Sequence, residues 1–218
     1  MKSILIIGLG RFGSYLCKKL SDLGNEVMIV DQDEELLEPL LPYVTDAKLG
    51  DCTKESVLQS LGVGNFDVCF VCIGTNFQSS LEITSQLKEL GAKLVISKAT
   101  RDIQAKFLLR NGADRVIYPE RDIAEKCAVQ YSADNVFDYF ELSDGFSIYE
   151  ITPMKEWAGK TIMELDFRNK YRANIVAIKT NDGMRTMPTG DYRFVGDEHL
   201  MIIGQDKDLE KLLRKMKR

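Results

Sequence analysis

The chain has 218 residues, of which 44% are hydrophobic and 28% charged, with a formal net charge of -4. That is enough apolar material for one domain of about 130 residues and a smaller one beside it. The acidic balance excludes a nucleic-acid surface, which is basic over at least one face. No apolar run approaches the ~18 residues needed to cross a bilayer, and the first begins too early for a cleavable signal, so a cytoplasmic protein is expected.

Residues 4–13 read Ile-Leu-Ile-Ile-Gly-Leu-Gly-Arg-Phe-Gly, a strand near 3–7 running through a G-x-G-x-x-G turn into a helix near 11–23. Gly8 permits the tight turn, Gly10 lets a diphosphate approach the backbone, and Gly13 lets the helix pack closely on the strand. The phosphate then faces a helix N-terminus. A second apolar run, 27–30, ends in Asp31, about 20 residues past the motif, where a carboxylate accepts bonds from ribose hydroxyls. The alternation continues, with strands near 46–49, 67–73, 93–97 and 114–117 and helices near 33–41, 54–61, 77–90, 102–111 and 120–131. This order predicts a Rossmann-like α/β fold, a doubly wound parallel sheet with its ligand at the C-terminal strand ends. Those ends carry Asp31, Gly50 with Asp51, Ile73 with Gly74, Lys98, and Pro119 with Glu120.

Arg11 sits between the second and third glycines, where a guanidinium folds over terminal phosphates; a solvated surface arginine is the plainer reading. Asp51 and Cys52 stand where the third strand meets an adenine. Lys98 suits a phosphate or a carboxylate, or simply covers apolar surface with its stem. Pro119, Glu120 and Asp122 fit an ordinary helix start. Glu120 becomes a hard-cation ligand only if it meets its symmetry mate beside phosphates.

The five cysteines form no disulfide framework. Cys69 and Cys72 share one predicted strand at an odd spacing, which points them to opposite faces and argues against a metal or redox pair. The single histidine, His199, has no serine or cysteine partner and reads as structural. Segment 133–144 carries the turn signals Asp134-Asn135 and Ser143-Asp144-Gly145 and reads as a linker. Beyond it come strands at 146–152, 174–180, 184–188 and 199–203, a short helical turn at 161–165 and a last helix at 206–216. Asn181-Asp182-Gly183 marks a hairpin. The basic tail, 211–218, completes the dipole of that helix or meets an anionic partner.

Gly8 to Gly13 as a motif, Val30-Asp31, Gly50-Asp51-Cys52-Thr53, Gly112-Ala113-Asp114-Arg115-Val116-Ile117 and Tyr118-Pro119-Glu120 resemble the RCK (regulator of potassium conductance) family, its KtrA-like branch first and its TrkA-like branch as a cousin. The resemblance covers nearly the whole chain: a nucleotide-binding N-domain over 1–132, a linker or crossover over 133–144 and a small α+β C-terminal domain over 145–218. It implies a gating subunit rather than an enzyme, a homo-octameric ring of dimers held at the inner face of the membrane by a KtrB-like potassium channel subunit. ATP or ADP would meet Gly8, Gly10, Arg11, Phe12, Gly13, Asp31, Gln32, Asp51, Cys52, Ile73, Gly74, Thr75, Lys98 and Glu120. In that picture Arg11 reaches the terminal phosphate, Asp31 the ribose, and Glu120 a divalent cation or Na+ bridging two nucleotides at the dimer interface.

The resemblance also implies a cyclic di-AMP site at a dimer interface, formed by Ile162, Met163, Phe167, Arg168, Asn174, Ile175 and Pro188. Met163 and Phe167 replace smaller aliphatics of the family, and plain dimer packing explains the same apolar patch. Two alternatives stay open: a TrkA-like regulator sensing NAD or NADH, because Asp31 suits either diol, and a small NAD(P)-dependent oxidoreductase. The lone histidine and the small second domain disfavour the latter.

Overall fold

A computed structural model describes residues 1–132, 135–143 and 145–216. The chain divides into two compact units, residues 1–120 and 121–218.

In the first unit β1 (Ser3–Ile7) leads through the glycine turn into α1 (Arg11–Asp22), and β2 (Glu26–Asp31) follows. The expected helix at 33–41 is cut short. A four-residue helix α2 (Glu34–Leu37), capped by the Asp33 carboxylate, passes into a 3-10 turn over Glu38–Tyr43. Pro39 and Pro42 remove the donors a longer α-helix needs. Then come β3 (Asp46–Leu49), α3 (Glu55–Leu61), β4 (Val68–Val71), α4 (Phe77–Glu89), β5 (Val95–Lys98), α5 (Asp102–Arg110) and β6 (Arg115–Ile117). Helix α6 (Pro119–Tyr131) begins with the last residues of this unit.

The six strands are parallel in the order β3-β2-β1-β4-β5-β6, so the winding direction reverses between β1 and β4. Strand β1 runs at the centre with Ile4 to Ile7 buried. Its residues alternate between two cores: Leu5 and Ile7 join Leu58, Val71 and Ile83 on one face, while Ile4 and Ile6 join Cys17, Ile29 and Leu40 on the other. Both faces being covered by helices is why the strand reads as an unbroken apolar run. Cys69 belongs to the first core and Cys72 to the second, the opposite-face arrangement their spacing requires.

The second unit is an antiparallel five-stranded sheet in the order β10-β9-β11-β8-β7. The segment expected as a linker carries β7 (Val136–Ser143), which pairs along β8 (Phe146–Ile151) at the sheet edge. Of the turn signals named above, Asp134 and Asp144 lie outside the described residues, as do Ala133 and the last two positions of the basic tail. The stretch expected as a helical turn at 161–165 is a reciprocal cap. Glu164 accepts from Thr161 N at 2.7 Å and Thr161 Oγ1 accepts from Glu164 N at 3.0 Å, and helix α7 (Phe167–Tyr171) starts only beyond it.

Next come β9 (Ala173–Thr180), β10 (Gly183–Thr186), β11 (His199–Gln205) and α8 (Asp206–Met216). Ile175 pairs with Ile202 and Ala177 with Met201, which leaves Val176 as a bulge. The bulge lets Ile175 and Ile178, three apart, both face the core.

That core is aromatic. Trp157 is fully buried, with ring centroids of Phe167 and Tyr171 each at 5.3 Å and Phe194 at 6.0 Å. Its indole N–H donates to Tyr171 Oη at 3.0 Å, so the one polar atom of the ring is satisfied. Trp157→Ala is expected to destabilise the second unit by about 3–5 kcal/mol, measured as the shift of its urea midpoint followed by circular dichroism.

Candidate functional site

A cleft of about 470 Å³ opens where the winding of the sheet reverses, beyond the C-terminal ends of β1 and β4. Its floor is the glycine turn. Gly8 has φ +91° and a Cβ there would lie 2.9 Å from Ile73 Cγ1, so only glycine fits. A Cβ on Gly13 would collide with the carbonyl oxygen of Gly8, so α1 can approach β1 only with a bare Cα at this position. A Cβ on Gly10 would meet nothing within 4 Å. The open space therefore lies directly over the backbone that heads α1, where N–H groups and the helix dipole favour an anion.

Asp31 ends β2 and braces this floor. Its Oδ2 accepts from Leu9 N at 2.6 Å and its Oδ1 from Asp33 N at 3.1 Å. A carboxylate has about four acceptor positions. Two remain after the turn is braced, which matches a vicinal diol. Asp51 is oriented by Thr53, whose hydroxyl donates at 2.7 Å and whose backbone N–H donates at 3.0 Å. These bonds hold the Asp51 carboxyl below its ordinary range. Cys52 beside it is 4% exposed, and burial pushes its thiol up to about 12. The far wall is Ile73, Gly74 and Thr75, followed by Asn76, whose side chain caps α4 by accepting from Ser79 N at 3.1 Å.

Of the fourteen residues expected at the nucleotide, Gly8, Gly10, Asp31, Gln32, Asp51, Cys52, Ile73, Gly74 and Thr75 line the cleft. Asp33, Leu36, Thr53, Asn76 and Ser79 line it too; among these, the cap signal of Asn76 after β4 was readable in the sequence, whereas Leu36 and Ser79 carry no such mark. The lining holds three aspartates and, among the described residues, no lysine or arginine.

The cations stand at its side. Lys98 Nζ would lie 3.6 Å from a Cβ on Gly74, is 5.8 Å from the Phe12 ring centroid, and donates to Glu120 Oε1 at 2.7 Å. The Lys98 side chain is 11% exposed and that of Glu120 60%. The bond from Lys98, with the more distant Arg11, draws the Glu120 carboxyl below its usual range. Arg11 is exposed at the first turn of α1 and makes no ion pair among the described residues. Glu120 has one ligand-type oxygen committed to Lys98, and the described residues contain no cluster of three or more His, Cys, Asp or Glu that holds a metal ion.

In the second unit Arg168 Nε donates to Asn174 Oδ1 at 2.7 Å, and Met163 is 72% exposed. Ile162 and Ile175 are partly buried against the core. Phe167 departs from the expected surface patch: it is 2% exposed and packs edge-on against Trp157. His199 stacks on Phe137 at 3.9 Å and bonds Glu150 through Nδ1 at 2.7 Å, which also receives Lys179. No hydroxyl or thiol nucleophile appears in that group.

Glycine turn, ribose-type carboxylate and switch-point cleft define the class as a Rossmann-type nucleotide-binding module joined to a small β-rich domain. The TrkA-N domain model matches residues 4–119 and the TrkA-C domain model residues 146–217; the chain belongs to the RCK family that these two domains make up. It is 40% identical to the Ktr system potassium uptake protein C of Bacillus subtilis, over 99% of this chain and 97% of the relative. It is 38% identical to the Ktr system potassium uptake protein A of the same organism, over 96% and 95%. The GsuK channel shares the fold with a TM-score of 0.68 at 19% identity, across 97% of this chain and 38% of that one. No helix among the described residues is long and apolar enough to cross a membrane.

Burial raises the Cys17, Cys69 and Cys72 thiols as well, the last two to about 12, whereas Cys127 is exposed. A group with so high a value carries almost no thiolate at about pH 8. Ellman's reagent is expected to find one reactive thiol in the native protein at that pH, and all five only after denaturation.

Proposed function

We propose that this chain is a non-catalytic, nucleotide-sensing regulatory subunit of a Ktr-type potassium uptake system, gating a separate membrane potassium transporter from the cytosolic side. Full-length similarity to two Ktr system potassium uptake proteins supports the system. The observation that carries the nucleotide is the open backbone of Gly10 at the head of α1, with Asp31 still holding two free acceptor positions. The ligand is ATP or ADP, ribose on Asp31, adenine toward Asp51 and Cys52, phosphates over Gly10. The assembly is a ring of dimers, eight chains in all.

The switch is argued from Lys98 and Glu120. Glu120 lies in the first turn of α6 and holds Lys98 at 2.7 Å. A terminal phosphate beyond Gly10 competes for Lys98 and recruits Arg11, loosening the tie to α6; ADP lacks that phosphate. ATP and ADP then bind the two arrangements unequally, the requirement for a ligand to shift an equilibrium. A divalent cation or Na+ fits Glu120 only with phosphate oxygens and a second copy of the carboxylate, because one chain supplies too few hard ligands. In nucleotide-stripped protein, Arg11→Ala is expected to lower the ATP-to-ADP affinity ratio about tenfold by removing a charge-assisted contact. Parallel calorimetric titrations with ATP, ADP and NADH measure it. An unchanged ratio overturns the role of Arg11, and a preference for NADH over both moves the chain to the NAD-sensing TrkA-like alternative.

A second ligand, cyclic di-AMP, is assigned to the surface around Arg168 and Asn174 with Met163 and Pro188. The exposed guanidinium supports it, pre-oriented by Asn174 for a phosphate. Phe167 serves this surface only by holding it from the core side. Arg168→Ala is expected to reduce cyclic di-AMP affinity at least tenfold in equilibrium dialysis; equal binding removes the assignment.

A further inference from the structure

The second unit has a cleft of about 470 Å³ between α7 and α8, remote in sequence from the glycine turn. Five cations line it, Lys170, Arg172, Lys211, Arg214 and Lys215, against the single carboxylate of Asp208. None of the residues assigned above to cyclic di-AMP belongs to this lining. The chain as a whole is acidic, so such a concentration of positive charge is not a matter of composition.

Three of the five lie in the last turns of α8, where cations stabilise the helix dipole. Lys170 lies in the last turn of α7 and Arg172 ends it, so the dipole of that short helix favours them in the same way, but neither dipole accounts for the two sets of cations sharing one cleft. Their convergence with the α8 cations on the same space is repulsion that the single carboxylate of Asp208 does not balance. Lys211 is paired with Asp208 at 2.9 Å and Arg214 with Glu210 at 3.5 Å. Lys170, Arg172 and Lys215 have no carboxylate within ion-pair distance among the described residues, and all three are exposed. Asp208 is 8% exposed and lies beneath the cations, with Lys211 and Arg172 lowering its carboxyl. It neutralises one charge from below and leaves the mouth positive.

The floor is Tyr171, with Lys170 Nζ 5.3 Å and Lys215 Nζ 6.0 Å from its ring centroid. Cation–π contact holds both heads over the ring. A guanidinium beside flexible ammonium groups is the donor set that recognises phosphate oxygens.

We propose that this α7–α8 cleft binds a phosphate-bearing anion, taken from a soluble phosphorylated compound or from an anionic lipid headgroup. The chain contains its own reporter. Trp157, the only tryptophan, donates to the hydroxyl of the floor residue Tyr171. Inorganic pyrophosphate is titrated against the full chain while Trp157 emission is read. Sedimentation with vesicles of phosphatidylglycerol mixed with phosphatidylcholine, and with phosphatidylcholine alone, tests the second source. Variants are Lys170→Ala combined with Lys215→Ala, the charge-conserving Lys170→Arg with Lys215→Arg, and Arg11→Ala, which removes the cation proposed for a terminal phosphate beside the glycine turn.

The expected result is a saturable change in emission or salt-sensitive capture by phosphatidylglycerol vesicles. Either is weakened about tenfold in the alanine pair and retained in the arginine pair and in Arg11→Ala. A response to pyrophosphate alone identifies a soluble ligand, and capture by the anionic vesicles a headgroup. The proposal is overturned if neither probe binds, if the alanine pair binds as well as the parent, or if binding disappears with Arg11→Ala.

Discussion

The contact between the Gly8 carbonyl and the Cα of Gly13 governs the ligand end of the first unit. With no side chain at 13, α1 settles against β1 closely enough for its first N–H groups to converge on the space over Gly10. The same closeness lets one helix help cover Ile4 and Ile6, so the packing of the central strand and the anion cradle share one geometry. Asp31 completes it from the neighbouring strand by taking the Leu9 N–H. The cradle is therefore formed before a ligand arrives, and little ordering entropy opposes binding.

Much of this was legible because it is local. Glycine spacing, the carboxylate after the second strand and the strand–helix alternation each express a constraint within about 30 residues. What escaped was non-local. Lys98 and Glu120 are 22 positions apart and meet because β5 ends and α6 begins on the same side of the sheet, which no periodicity announces. Arg11 is exposed and outside the cleft lining, because a helix start fixes the backbone and leaves a long side chain free. Strand β7 was taken for a linker. Its apolar residues Phe137, Phe140 and Leu142 do not keep a strict alternation, since its pairing with β8 slips at both ends and these side chains stay half exposed at a sheet edge.

The second unit depends on a different economy of packing. Among its described residues there are no parallel strands and no disulfide, and its core is organised around one indole with three other aromatic rings at 5.3 to 6.0 Å. Phe167 illustrates how a motif resemblance and a packing requirement compete for one residue: a side chain matched to a ligand surface is the one that closes the core beneath it. The surface around Arg168 is thus backed by a residue that cannot be exchanged without loosening the core.

Val176 is the one residue of β9 that the ladder does not require. Removing it in thought leaves Ile175 opposite Ile202 and Ala177 opposite Met201, with no inward side chain changing face. Its presence instead sharpens the local twist of the strand, and its carbonyl accepts from Met187 N at 2.9 Å on the returning limb of the hairpin. The extra residue thus works as an aiming device: a chain one residue shorter at this point would keep its core pairing and send Met187 and Pro188, where the chain leaves β10, in another direction.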